Sequence, residues 1–274
     1  LSKARLFRRR EAKVFCVFFS KKQCLPEVEW SAPGIVLAAA PFGEGDALAT
    51  IFTEEHGAFR GLARGGGARA RAHVWQAGNL VEARWVARLA DQLGSFTAEL
   101  VHPAAALAMQ DGLLQATLAA ACAVAEGALP EREAHPRVFR GLLHLIVHLT
   151  QGEAGVAALA AWELGLLADL GYGLDLSSCA LTATTDDLAY VSPKTGRAVS
   201  EAAAGQWRER LLKLPAFLRE DTPPSTDDLR AALRLTGHFL TRDAFGARHR
   251  ATPMARQMLY DRVCILAEGK HVPS

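Results

Sequence analysis

Between residues 31 and 101 apolar positions recur at every second residue in short runs, and turn residues separate the runs, which is the pattern of strands. GIVLAAA (34–40) is an apolar run that ends at PFGEGD (41–46), and ALATIFT (47–53) follows it before the turn EEHG (54–57). AFRGLAR (58–64) alternates and then meets three consecutive glycines. NLVEARWVARL (79–89) alternates most clearly: Leu80, Arg84, Val86 and Arg88 share one parity, and Val81, Ala83, Trp85 and Ala87 share the other. The second set puts Trp85 in a core. GSFTAELV (94–101) completes the series. Five short strands with no strong helix between them predict a small barrel, most economically a five-stranded OB-fold.

After Pro103 the period lengthens to that of helices. Residues 104–126 are rich in Ala and Leu. RVFRGLLHLIVHLTQ (137–151) brings Val138, Leu142, Leu145 and Leu149 near one face, and GVAALAAWELGLLADLG (155–171) ends on a glycine stop signal. YGLDLSSCALTATTDDLAYVSPKTGRAVS (172–200) breaks the pattern and reads as an irregular insert. Helices are predicted again over 201–213, 226–243 and 253–268, with Ser225 or Thr226 capping ahead of Asp228. The expected fold class is therefore α+β: a barrel over 28–101, then a mostly helical domain over 102–274 interrupted at about 172–200.

Composition narrows the function classes. Half of the 274 residues are apolar, which describes a globular chain. No apolar run approaches the ~20 residues that span a bilayer. VFCVFFS (14–20) is short, is flanked by charge and lacks a small-residue cleavage site, so it is not read as a signal peptide. The net charge of +2 hides an asymmetry. Residues 1–27 hold eight Lys/Arg against two Glu, which leaves the rest of the chain at −4. Any contact with nucleic acid must come from local patches. Residues 1–27 start on Leu1 and are basic and rich in phenylalanine. They read either as an extension ahead of a natural start near Val28, left by an over-extended gene prediction, or as a flexible basic arm that touches DNA. The five cysteines, Cys16, Cys24, Cys122, Cys179 and Cys264, form no CxxC pair. Neither a disulfide framework nor a zinc site is expected, which fits a reducing cytoplasm.

The sharpest chemical feature is HGAFRGLARGGGARARAHVW (56–75), with Arg60, Arg64, Arg69 and Arg71 and no acid. It lacks the Gly-Lys-Ser/Thr of a P-loop, and a strand-to-strand setting does not suit a dinucleotide fingerprint. It reads as a mobile linker or as a basic loop lying on DNA, with the arginines tracking phosphates. Phe59, His73 and Trp75 are placed to stack on bases, and Trp75 suits the barrel core equally well. Farther on, Arg242, Arg248, His249, Arg250, Arg256 and Arg262 cluster. They read as a solvated helix face, as phosphate contacts, Arg248 and Arg250 foremost, or as a receptor for an acidic peptide. Arg137 and Arg140, on an otherwise apolar helix, are equally suited to that receptor. His144 and His148 stand four apart without an accompanying carboxylate and read as packing or surface residues. Glu54/Glu55 and Asp227/Asp228 sit at turns and helix starts, where capping explains them. No catalytic constellation can be assembled, so no enzyme is predicted.

The run from Gly34 to Arg71 resembles the N-terminal OB domain of the RecO family of bacterial recombination mediators. The resemblance is carried by Gly34-Ile35-Val36-Leu37, Gly43-Glu44, Asp46, Thr53-Glu54, His56-Gly57 and Gly61…Arg64-Gly65. DDLAYVSPKTGRAVS (186–200) looks like the central segment of the family's alphaproteobacterial branch, so the resemblance covers about 28 to 268. It implies a cytoplasmic, nucleoid-associated protein that binds single- and double-stranded DNA and anneals complementary strands. It further implies docking on the acidic tail of single-stranded-DNA-binding protein (SSB), with Arg137, Arg140, Arg242 and Arg256 as candidates. With RecR, such a protein helps load RecA. Some relatives hold zinc in the central insert with two CxxC pairs. Here Cys179-Ala180-Leu181-Thr182 keeps one cysteine, so the insert is expected to be zinc-finger-like without its metal. Asp186 and Asp187 then brace it or simply serve as turn residues. An OB-fold protein–protein adaptor with little DNA affinity is the alternative.

Overall fold

The computed structural model describes residues 28–89, 91–150 and 155–269. The two readings of residues 1–27 lie outside them. Five strands come first: β1 (Val28–Phe42), β2 (Asp46–Thr53), β3 (Gly57–Ala63), β4 (Leu80–Ala87) and β5 (Ser95–His102). They form a barrel in the order β1-β2-β3-β5-β4, and β4 returns to β1. The β3–β5 seam is parallel and rests on two residue pairs, Leu62–Ser95 and Ala63–Phe96. All other pairs are antiparallel. This is the OB-like arrangement expected.

One strand exceeds its predicted bounds. β1 runs for 15 residues, beginning six before the apolar run. Its first half pairs with β4 (Val28–Ile35) and its second half with β2 (Gly34–Phe42). The first half, VEWSAP, alternates polar and apolar and so lacks the continuous hydrophobicity of GIVLAAA. Both partners meet at Gly34, where an added Cβ would stand 2.5 Å from the Ile51 side chain.

The barrel interior is small-residue wall and aromatic filling. Ala47, Ala49, Ala63, Ala83 and Ala87 line it, and Trp75, Trp85 and Phe96 occupy the space they leave. Trp85 is 1 % exposed, as its strand parity predicts, and its indole N–H donates to Leu93 O at 3.1 Å. Trp30 and Phe59 close one end, with ring centroids 5.3 Å apart.

The outward faces of Ile35, Leu37, Phe52 and Ala58 join the core of the helical part. That part begins with α1 (Ala104–Ala108), α2 (Gly112–Ala128), α3 (Pro136–Thr150) and α4 (Gly155–Asp169). The single helix expected over 104–126 is split because Asp111 caps a new start, accepting from the Leu113 and Leu114 amides. Each fully buried Leu, Ile or Phe stabilises by about 1.5–3 kcal/mol. The exposed ion pairs that also cross the junction contribute about 0–1 kcal/mol each. Apolar burial therefore holds barrel and helices together.

The insert is more regular than its sequence predicts. β6 (Leu188–Val191), β7 (Ala198–Ser200) and β8 (Leu212–Lys213) form a three-stranded sheet in the order β7-β6-β8. Strands of two to four residues are too short for alternation to show. The helix expected over 201–213 is reduced to α5 (Glu201–Ala204) and a 3-10 turn over Gly205–Arg210. Gly205 takes φ +44 and ends the α-helical geometry, and Leu212 is drawn into pairing with Val191. Cys179, the remnant of the CxxC pair, is buried, and its Sγ accepts from the Ser200 amide and hydroxyl at 3.3 and 3.5 Å. Of the adjacent acids, Asp187 has a left-handed backbone, and its carbonyl accepts from the Glu201 amide.

α6 (Thr226–Phe239) starts on Ser225 in the expected capping box with Asp228. It passes into a π-helical turn over Leu240–Phe245 and ends there. α7 (Met254–Ala267) packs along α2 and α6.

Candidate nucleic-acid interface

The connection between β3 and β4 carries the arginines. Its glycines do not make it a floppy linker. The Gly65 amide donates to the Asp46 carboxylate at 2.7 Å, and the Gly67 amide donates to Gly45 O at 3.0 Å. Both bonds fasten the segment to the β1–β2 turn. A Cβ on Gly67 would lie 2.7 Å from Asp46 O, so glycine is required by close approach. Successive turn bonds follow, Ala68 to Gly65, Arg71 to Ala68 and Val74 to Arg71. The buried side chain of Asn79 ends the segment: its Nδ2 donates to His73 O at 2.7 Å, and its Oδ1 accepts from the Ala105 amide at 3.1 Å.

This frame exposes Arg64, Arg69, Arg71 and His73 to solvent. Arg64 and Arg71 line one groove on the barrel surface together with Arg84 of β4, Ser31 of β1 and Thr97 of β5. The groove has a volume of about 560 Å³. Glu82 and Glu99 also line it, so its charge is mixed. Arg84 was not among the predicted site residues. Strand parity marks it as exposed, but nothing in the sequence places it beside a loop that starts twenty residues earlier. Arg84 is ion-paired with Glu29 across β1 and β4.

Several predicted contacts are placed elsewhere. Trp75 is 7 % exposed and packs with the barrel core, its ring 6.5 Å from that of Phe96. It plugs the barrel and reaches the groove only as part of its largely buried wall. Phe59 is covered by the Arg132 guanidinium, 5.0 Å from its ring centroid. Arg60 points from β3 to the helical part and pairs with Glu126 at 2.9 Å and Glu131 at 3.1 Å. Next to it the Arg132 amide donates to Ala58 O at 2.8 Å. Arg60 is thus a bridge between the two parts and not a phosphate ligand.

The C-terminal arginines also separate. Arg256 is buried, bonded through Nε and Nη2 to Glu163 at 2.5 and 2.9 Å. Thr236 donates to the same carboxylate at 2.5 Å. A group so enclosed cannot receive a peptide tail. Arg242 is spent as well: Nε and Nη2 donate to Asp243, Nη1 donates to Pro193 O and Lys194 O, and the guanidinium lies over Phe239. Its hydrogen bonds hold the insert to the end of α6. Arg262 donates to Gly112 O. Arg248 and Arg250 remain exposed, although Arg250 donates to Gly127 O at 3.3 Å. Arg140 pairs with Glu54 of the barrel at 3.2 Å. Arg137 is exposed at the rim of a groove of about 410 Å³ between α3 and α4, over Val138, Trp162 and Leu166. The His144 and His148 rings pack at 4.0 Å. No cluster of three or more metal-ligating side chains occurs among the described residues, and no helix there is long and apolar enough to cross a membrane.

Comparison with known proteins agrees with this architecture. Residues 28–104 match the family model for the recombination protein O N terminal, and residues 109–252 match that for the recombination protein O C terminal. The chain is 57 % identical over 244 residues to the DNA repair protein RecO of Granulibacter bethesdensis, covering 88 % of this chain and 98 % of that protein. It is 59 % identical over 240 residues to the DNA repair protein RecO of Acidiphilium cryptum, covering 86 % and 96 %. With that of Rhodospirillum centenum the identity is 46 % over 237 residues. The barrel, the helical part behind it and both family models cover most of the chain in one order, and the chain therefore belongs to the RecO family of DNA repair proteins.

Proposed function

We propose that the protein is a non-enzymatic recombination mediator that binds single- and double-stranded DNA and anneals complementary strands. The observation that carries this reading is the hydrogen-bonded loop that presents Arg64, Arg69, Arg71 and His73, with Arg64 and Arg71 converging on the groove shared with Arg84. Fixed arginines beside a strand surface neutralise phosphates, and neutralised strands approach each other despite their charge. Annealing then proceeds by mass action without ATP. In this reading SSB brings the protein to covered DNA, RecR completes the complex, and RecA is the beneficiary. Of the arginines considered for the SSB tail, Arg137 fits best: it is exposed beside an apolar groove, whereas Arg242 and Arg256 are consumed internally. Arg248 and Arg250 add phosphate contacts on the helical part. In this reading the insert works without zinc, a reading supported by the bonds that the Ser200 amide and hydroxyl donate to the Cys179 sulfur. A cytoplasmic, nucleoid-associated location follows from the same function.

Titration of single-stranded DNA at several salt concentrations tests the reading. Each phosphate contact contributes about 0.7 to the slope of log affinity against log salt. Replacing Arg64, Arg69 and Arg71 with Ala is expected to lower that slope by about 2. Glu82 and Glu99 in the same groove favour the second reading, a protein–protein adaptor. An adaptor gives no measurable DNA binding in the unaltered protein while still binding an SSB tail peptide.

A further inference from the structure

The face of α6 toward solvent carries Arg230 and Arg234 one helical turn apart. His238 follows, its Nε2 bonded to Pro193 O at 3.1 Å, and then Arg242 in the π-helical turn, paired with Asp243. Four residues of helix rise about 6 Å, so these groups form a track. The track borders a groove between α6, α7 and β8. The groove consists of two adjoining hollows of about 560 and 460 Å³, which share Leu212, Arg234 and Tyr260. Leu212 and Leu233 supply an apolar floor, and the Tyr260 ring stands where the hollows meet.

The two halves differ in charge. Among the described residues no carboxylate lines the half with His238 and Arg242, where Asp243 pairs with Arg242 from outside the lining, while Asp227 and Glu268 line the other half. Arg234 is exposed and, among the described residues, has no ion-pair partner. Among the described residues Arg230 has one ion-pair partner, Asp227 on the surface at 2.7 Å. A cationic track ending in acids takes a short anionic chain. Its regular cation spacing, with an aromatic ring beside it, matches a repeating phosphate with a planar base better than a single terminal carboxylate.

We propose that this groove is a second seat for single-stranded nucleic acid, holding a few nucleotides with phosphates along Arg230 and Arg234 and a base against Tyr260. The proposal rests on the DNA-binding reading above and extends it. The barrel loop and the α6–α7 groove lie on different parts of the molecule, so one protein holds two strands at once, as annealing requires.

The test uses the full chain, a fluorescent oligothymidine and a complementary pair of oligonucleotides. Arg230→Ala with Arg234→Ala is expected to slow annealing at least tenfold. In the background of the Arg64, Arg69 and Arg71 substitutions, the same pair is expected to lower the remaining salt slope by about 1.4. Tyr260→Leu weakens that residual binding roughly tenfold, and Tyr260→Phe restores it. The proposal is overturned if the unaltered protein anneals and the Arg230/Arg234 variant anneals equally well. It is equally overturned if an acidic peptide, and not the oligonucleotide, loses binding in that variant. An unaltered protein that binds no oligonucleotide takes the DNA-binding reading down with it.

Discussion

Arg256 and Glu163 show how a charged residue in the sequence can mislead. Arg256 stands in an arginine-rich stretch, yet its side chain is 3 % exposed and that of Glu163 is fully buried. Thr236 and Leu233 O complete the ring of partners. Removing one member strands the other charge in a medium that cannot solvate it, which costs about 3–5 kcal/mol. Arg256→Met is therefore expected to lower the urea midpoint strongly without changing DNA affinity. The double change Arg256→Met with Glu163→Leu is expected to recover much of the loss, because neither charge remains buried. Equal destabilisation in both variants would show that the pair is not the cause. Arg242, Arg60 and Trp75 teach a related lesson. Residue type and neighbourhood mark them as binding groups, but tertiary partners far along the chain claim each one. Arg64, Arg69, Arg71 and His73 are exposed, and among the described residues they have no ion-pair partner, so local sequence alone suffices to expect them at the surface.

At the scale of elements, local signals read well where they are chemical and poorly where they are short. The capping box of α6 is plain in TPPSTDDL and forms as expected: the Asp228 amide donates to the Ser225 hydroxyl oxygen, and the Asp228 carboxylate accepts from the Ser225 amide and hydroxyl. Those bonds, with Lys213 nearby and burial opposing them, hold the Asp228 carboxyl below the ordinary aspartate range. A carboxyl depressed in the folded state adds stability that is complete above the unfolded value of about 3.9 and is lost as pH falls below it. Thermal melting between pH 6 and pH 3 should therefore show a steeper acid loss in the unaltered protein than in Asp228→Asn. At pH 7 Ser225→Ala should cost about 1 kcal/mol. β6, β7 and β8 offer no comparable signal. Their pairing is decided by which apolar residues reach the core, and a two-residue strand has no period to detect.

For the whole molecule, the division into a barrel and a helical part is visible in the change of hydrophobic period at Pro103. The sequence does not reveal how far the two parts depend on each other. Ile35, Leu37, Phe52 and Ala58 face outward from the barrel and belong to the larger core. Alternation assigns them to a strand face but cannot say whether that face meets water or protein. A fragment of residues 28–102 would expose them together. It is expected to be insoluble or only partly folded by circular dichroism, while the full chain melts in one transition. A soluble, cooperatively melting fragment would refute this. The arginine groove is also a whole-molecule property, since Arg84 reaches it from β4 and Arg71 from the loop.

The side chain of Asn79 joins these scales. One end of its amide holds the loop that carries the arginines, and the other end holds the first turn of α1. A shift at one end must break a hydrogen bond or move the amide that serves the other. Affinities for two ligands coupled through such a joint change by the same factor in both directions. A partner that grips the helices would thus tune how firmly the loop holds a phosphate, and a strand on the loop would tune the partner's hold in return.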